Sequence, residues 1–423
     1  LNYPKNSSNF TQREIYSLIC NGKWINKNKT WATQSTTYTN PNINNLELVN
    51  GNTLICPQNK EGLITSFTNQ NINILNLVNN NNNLINPMLS YCVFKLIWKN
   101  KLPETLDYSH LPVIQNPNKL KIKITTRVVN KLSVIVYMDY QVLSSINGVG
   151  IGFSEESLTY YNNNIDTIDF LRFGGFPLYD GGSQFNSLQT KLFFNAKDTP
   201  TINDNTSFRG MFANMPNFNT NVNFINNWNV ENITNIRSMF SHSSSFNNGS
   251  LTNDGLNPLL LNNVMALSQV VSDTTYVFSY ATEFNQNVLL PPLTRSTNIS
   301  LLFLYAENFN NGSIRDDGAN PLELIINNDI LTVFQQNFAA ARVFNQQIIL
   351  KDVNNNIITT LPNVNTIYGF FTVAYAFNNG NMPGETSYPL NWIFSQYPNL
   401  NYNYYDYETR NWDNANKPPQ LKL

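Results

Sequence analysis

The sequence predicts a mainly β protein with short helices, in which an N-terminal antiparallel β domain is followed by a leucine-rich-repeat-like solenoid. Three observations carry this. Apolar and polar residues alternate with period two around residue 120. A Phe-x5-Phe-Asn unit recurs six times in the second half. Apolar residues make up 41% and charged residues only 13%, so the chain can bury a core while its surface must be covered by neutral polar groups.

Asparagine supplies that surface, together with Ser and Thr. The formal net charge is −1, from 26 basic and 27 acidic residues, and no run of Lys or Arg interleaves with aromatics; this argues against nucleic-acid binding. Polyasparagine at 79–83 is bracketed by Ile74, Leu75, Leu77, Leu84 and Ile85, which suits a loop within folded structure. Cys20, Cys56 and Cys92 are too few and too widely spaced for a disulfide framework or a CxxC zinc pattern, and read as buried free thiols. No apolar run of about 18 residues predicts a membrane span, and Leu1 to Phe10 carry no export signal. Sequons at Asn6, Asn28, Asn205, Asn232 and Asn298 are expected by chance in such a composition.

Residues 1–60 are polar and irregular, with one helical spacing (Ile15, Leu18, Ile19) behind Thr11. Within 61–182, Leu120, Ile122, Ile124 and Val128 alternate with Lys121, Lys123, Thr125 and Arg127, predicting a half-buried strand. A second strand over 132–140 follows Asn130-Lys131, so the pair reads as a β-hairpin. Tyr91 to Trp98, Val149 to Phe153 and Thr167 to Phe173 are further strand candidates. Together they predict an antiparallel β domain, read as a sandwich.

The repeat region is 183–390. Its units are Phe212/Phe218/Asn219, Phe240/Phe246/Asn247, Phe278/Phe284/Asn285, Phe303/Phe309/Asn310, Phe338/Phe344/Asn345 and Phe371/Phe377/Asn378. Ala281, Ala306, Ala341 and Ala374 stand midway in four of them. The first phenylalanines are 28, 38, 25, 35 and 33 positions apart, a solenoid spacing with insertions. Two insertions, 248–259 and 311–322, resemble each other closely. Phe, Ala and Phe three apart would share one face of a short helical turn; one unit cannot bury that face, whereas stacked neighbours can. An inward Asn in each unit would then satisfy backbone groups of adjacent coils. Tyr397 to Tyr407 with Trp412, in the segment 391–423, read as a cap over the last layer or as a contact surface.

The segment from Trp228 to Asn247, WNVENITNIRSMFSHSSSFN, resembles the repeat of BspA-like leucine-rich surface proteins, known from mycoplasma and other bacterial lipoproteins and abundant in giant DNA viruses. The other five copies lack the Trp. The resemblance implies a leucine-rich-repeat-like solenoid with adhesive or scaffolding roles and no catalysis. A second stretch, with Trp31, Thr33, Gln34, Tyr38, Asn40 and Pro41, is similar to a segment of proteins from mimivirus-like giant viruses. That similarity implies an extended arm anchoring to a capsid; an ordinary loop over its own domain is the alternative.

Chemistry-bearing clusters are sparse. His110 precedes Leu111-Pro112, and His242 occupies a variable slot held elsewhere by Asn214, Tyr280, Tyr305, Ala340 and Val373. Neither has a catalytic base's context. Gly148-Val-Gly-Ile-Gly152 lacks the third glycine of a dinucleotide fingerprint and the P-loop lysine, and reads as glycine beside a bent strand. Glu155-Glu156 and Asp316-Asp317 read as solvated acids. The sequence therefore predicts no catalytic, cofactor or metal site. It predicts a scaffold that contacts other virion proteins or itself, located in or on a capsid, with a cell-surface adhesin binding a host ligand as the alternative.

Overall fold

The computed structural model describes residues 48–49, 52–53, 92–103, 113–115, 120–142, 148–220, 225–231, 233–252, 255–261, 274–314, 318–395, 409 and 411–419. The helix expected behind Thr11 and the candidate anchor with Trp31, Thr33, Gln34, Tyr38, Asn40 and Pro41 lie outside the described residues. So do Cys20, Cys56, the 79–83 asparagines, His110, Asp316-Asp317 and Tyr397 to Tyr407.

The described fold is mainly β. Two two-residue strands, β1 (Leu48–Val49) and β2 (Asn52–Thr53), pair antiparallel. The principal sheet is built from β3 (Cys92–Trp98), β5 (Leu120–Asn130), β6 (Ser133–Val142), β8 (Ile165–Arg172) and β9 (Lys191–Phe194), in the order β5-β6-β3-β8-β9. A separate small ladder joins β4 (Ile114–Gln115) to β7 (Gly150–Ile151). The β5–β6 hairpin turns at Lys131-Leu132, one residue later than the sequence indicated, because the Asn130 side chain accepts from Leu132 N and Ser133 Oγ and so closes the turn on itself.

Two expectations about this sheet need correcting. Val128 is 61% exposed, so the inward alternation of β5 stops short of the hairpin tip, where no layer covers it. The sheet is also not purely antiparallel: β9 lies parallel to β8, with Thr167 opposite Lys191 and Phe170 opposite Phe194. Parallel pairing needs a crossover, and residues 173–190 supply it while forming the first coil of the repeat region. Among the described residues the region forms one five-stranded sheet and the separate β4–β7 ladder, whose Ile114 and Ile151 share its buried core.

The α-helix among the described residues, α1 (Glu155–Asn164), starts at Ser154, whose hydroxyl accepts from Ser157 N. Glu155 and Glu156 thus stand in a helical first turn, where the helix dipole favours negative charge. The helix buries Tyr161 against Phe153, ring centroids 4.9 Å apart. Gly150 is required by close approach, since a Cβ there would fall 2.4 Å from Leu178 C and Tyr179 N.

Past β9, strands are short and mostly parallel between successive repeats. β10 (Leu259–Leu260) pairs with β11 (Val288–Leu289), and β12 (Asn298–Ser300) with β14 (Val333–Gln335). β13 (Leu322–Ile325) pairs with β15 (Ile348–Lys351), and β16 (Thr360–Leu361) with β17 (Ile393–Phe394). The core is continuous from sheet to repeats: Phe170 stacks on Phe194, which meets Phe212 at 6.2 Å, and Phe185 stacks on Phe212 at 5.6 Å. Trp228 packs edge-on against Phe173 and Phe194 at this junction. That local task accounts for a Trp present in one copy only.

Candidate functional site

The helical-turn expectation is wrong for all six doublets, Phe212/Phe218, Phe240/Phe246, Phe278/Phe284, Phe303/Phe309, Phe338/Phe344 and Phe371/Phe377, none of which lies on a helix. The residues two before and two after each first Phe are left-handed: Gly210 and Asn214 around Phe212, Ser238 and His242 around Phe240, Tyr276 and Tyr280, Leu301 and Tyr305, Gln336 and Ala340, and Gly369 and Val373, all with φ between 50° and 62°. Ser183 and Ser187 repeat the pattern around Phe185, adding a rung without the doublet signature because Lys191 stands where a second Phe would be. A left-handed residue on either side of each Phe forbids a helix and lets alternate N–H groups donate to the next copy. Thus Gly210, Phe212 and Asn214 donate to Arg237, Met239 and Ser241 carbonyls, and Ser238, Phe240 and His242 to those of Thr275, Val277 and Ser279.

The second phenylalanines reach their place through two β-turns in series and not along a helix face. Ser243, Ala281, Ala306, Ala341 and Ala374 N–H each donate to the first Phe carbonyl of their copy. Phe246, Phe284, Phe309, Phe344 and Phe377 N–H then donate to the carbonyls of those five midway residues, and Phe218 N–H to that of Met215. The double turn folds each second ring back over the first.

This backbone aligns two rails of rings. Within a copy the two rings stack 3.8–4.6 Å apart. Between copies, successive first rings from Phe212 to Phe371 lie 5.2–5.8 Å apart. Successive second rings, Phe218, Phe246, Phe284, Phe309, Phe344 and Phe377, lie 5.5–5.9 Å apart. All are essentially inaccessible, and burying each contributes about 1.5–3 kcal/mol. Ala281, Ala306, Ala341 and Ala374 are fully buried beside them, where a larger side chain would push the pair apart. Ser243 takes that place in its copy and donates its hydroxyl to Phe212 O.

The asparagines form a third rail. Each Oδ1 accepts from the next copy's Asn N–H: Asn219 from Asn247, Asn247 from Asn285, Asn285 from Asn310, Asn310 from Asn345, and Asn345 from Asn378, at 2.6–3.0 Å. The second lone pair alternates in use. Asn219, Asn285 and Asn345 accept from Gly249, Gly312 and Gly380 N–H; Asn247 and Asn310 accept from Gln286 and Gln346 Nε2. The repeat is therefore a pair of unlike copies, one short and one carrying a loop.

Those loops, 248–259, 311–322 and 379–390, have equal length, and the third escapes notice in the sequence because it shares only its Asn-Gly start and Pro-Leu end. Each is closed by its leading Asn: Asn248, Asn311 and Asn379 donate to the carbonyls of Asn257, Asn320 and Tyr388. The intervening Gln side chains fasten two of them, Gln286 Oε1 accepting from Asn257 N and Gln346 Oε1 from Asn320 N. The loops touch each other through glycine; a Cβ on Gly255 would lie 2.4 Å from Gly312 O, and one on Gly318 2.8 Å from Gly380 O.

The end of the rails is closed by residues far along the chain. Trp412 sits edge-on to Phe371 and Phe377, at 4.9 and 5.1 Å, and Asp413 N with Asn416 Nδ2 donate to Asn378 Oδ1. Trp412-Asp413 thus repeats the Phe-Asn dipeptide, with Asn416 in the part played by glutamine. Thr409 Oγ1 donates to Phe371 O.

The left-handed position after each first Phe makes a fourth row, exposed at Asn214, His242, Tyr280 and Tyr305, half-buried at Val373 and buried at Ala340. His242 stacks on Tyr280 at 4.4 Å and Tyr280 on Tyr305 at 4.8 Å. His242 accordingly has an aromatic neighbour, and its Nδ1 is 2.9 Å from Ser241 Oγ. Burial pushes the Cys92 thiol and the Tyr161 phenol up in pKa, with Asp198 adding to the first and Tyr160 to the second, so neither is a ready nucleophile. Asp352 is lowered by the Asn356 side chain and by backbone N–H groups of its own turn. Among the described residues no group of three or more His, Cys, Asp or Glu could hold a metal ion, and no helix is long and apolar enough to cross a membrane.

No curated protein and no solved structure matches the chain. The family model described as "Mycoplasma protein of unknown function, DUF285" matches residues 184–316 and, overlapping, 261–383. The match begins at the Phe185 rung and ends in the third loop, so it covers the rails just described. It supports a BspA-like repeat protein over those residues.

Proposed function

We propose that this is a non-enzymatic scaffold whose repeats form a leucine-rich-repeat-like solenoid that works by protein–protein contact. One observation carries the reading. The side chains that recur through every copy are consumed in holding copies together: the phenylalanines by stacking and the asparagines by hydrogen bonds to the next backbone. What is left to vary is the outer row and the loop tips, where Leu251, Leu256 and Ile314 are 97%, 76% and 76% exposed. Keeping one frame while varying its outside is how repeat arrays serve as contact surfaces.

The place of action we propose is the virion of a giant virus, as a minor capsid or capsid-associated protein, with the segment holding Trp31 to Pro41 as the anchor. The similarity of that segment to giant-virus proteins supports it. A surface adhesin is the second reading, favoured by the match to a mycoplasma family. Mass spectrometry of purified particles, followed by location in a cryo-EM map of the shell, separates them. The scaffold reading expects stoichiometric amounts within the shell; absence from particles together with surface labelling of cells would overturn the virion placement.

A further inference from the structure

The exposed aromatic row stops abruptly, and what it leaves is a shaped hollow. After His242, Tyr280 and Tyr305, the next two residues in the row are Ala340 and Val373. One face of the Tyr305 ring is covered by Tyr280, and beyond the other the row has lost its rings. The hollow there measures about 250 Å³. Tyr305 and Tyr368, 40% and 36% exposed, line it, with Ala339 and Ala340 beneath and Gln336 and Thr372 supplying polar groups. Gly369 keeps it open: a Cβ there would stand 3.2 Å from both Gln336 Cγ and Thr372 Oγ1.

The lining selects a chemistry. It contains no ionisable acid or base apart from the tyrosine phenols, so a charged ligand gains nothing. It offers an aromatic face, whose negative quadrupole attracts polarised C–H groups, beside an amide and hydroxyls that both donate and accept. A neutral pyranose has the matching halves, a C–H face and a rim of hydroxyls. We propose that this hollow is a binding subsite for a neutral hexose or N-acetylhexosamine residue of a glycan. The inference rests on the contact reading of the repeats and not on which particle or cell carries them.

Saturation-transfer NMR on the full chain tests it, with glucose, galactose, mannose, N-acetylglucosamine and N-acetylgalactosamine as the probes. Transfer to at least one sugar is expected. Tyr305→Ala should weaken it about tenfold, the worth of one stacked ring. Ala340→Tyr should abolish it by placing a ring in the hollow; its backbone φ matches that of Tyr280 and Tyr305, and a thermal melt checks that the variant, at a buried position, stays folded. Leu251→Ser, on a distant loop tip, should leave it unchanged. No transfer to any of the five sugars, transfer surviving Ala340→Tyr, or binding of a proline-rich peptide in place of sugar would each overturn the subsite. If a chain that binds no sugar still captures shell proteins of purified particles or proteins of a cell surface, the subsite alone fails; loss of sugar, shell-protein and cell-surface binding together fails the contact reading.

Discussion

The five-stranded sheet and the repeat stack share one hydrophobic core but use asparagine in opposite ways. In the sheet, backbone ladders supply the cross-strand hydrogen bonds, and an asparagine such as Asn130 merely closes an exposed turn. In the stack, left-handed residues divert alternate backbone groups, and the buried side-chain amides of Asn247, Asn285, Asn310 and Asn345 complete the ladder. An Asn-rich composition therefore reflects two different demands, surface solvation in one region and internal wiring in the other.

The largest expected effect of breaking this arrangement comes from Phe303→Ala. Its ring is held between Phe278 and Phe338 at 5.2 and 5.6 Å by copies that cannot close up, so a cavity should cost about 3–5 kcal/mol in denaturant unfolding. Next comes Asn285→Ala, which removes the acceptor of the Asn310 and Gly312 N–H groups and one of the two amide donors to the Ser313 carbonyl, the other being Asn310 Nδ2. It should cost about 2–4 kcal/mol, against less than about 1 kcal/mol for Asn130→Ala in the hairpin turn. Equal costs for the two asparagines would erase the contrast. The smallest effect distinguishes two glycines of the loops. Gly255→Ala meets Gly312 O and a positive φ, and should cost about 2–3 kcal/mol, whereas Gly384→Ala, with nothing within 4 Å, should cost only the left-handed penalty of about 1 kcal/mol. Thermal melts of the pair check this.

Much of the architecture could be read from residue patterns. Period-two alternation locates β5, the short link at Asn130-Lys131 locates β6, and the Phe doublets mark the copies that stack. The local conformation of the doublets could not be read: a three-residue spacing fits a helical turn and a pair of serial turns equally well, and Ala281 between Phe278 and Phe284 permits both. Other features carry no local signal. The left-handed positions are filled by Ser, Gly, Tyr, Leu, Gln, Asn, His, Ala and Val, types with no shared preference, because neighbouring copies impose the conformation. The alternation of short and looped copies depends on Gln286 and Gln346, which look like any surface glutamine until Asn247 and Asn310 are seen to accept from them. The closing rung hides because Trp412-Asp413 replaces Phe-Asn after an interval of 35 residues from Asn378 to Asp413. The parallel docking of β9 is a tertiary choice: its Phe194 fills the junction beside Trp228, and a four-residue strand does not announce its direction.

Residue-resolved amide hydrogen exchange on the wild type and on Asn285→Ala tests the asparagine rail most directly. The account expects slow exchange at the N–H groups of Asn310 and Gly312 in the wild type and strong acceleration at those two positions in the variant, with β3 unchanged. Unaltered protection at Asn310 and Gly312, or an equal loss of protection across β3 and the stack, would contradict it.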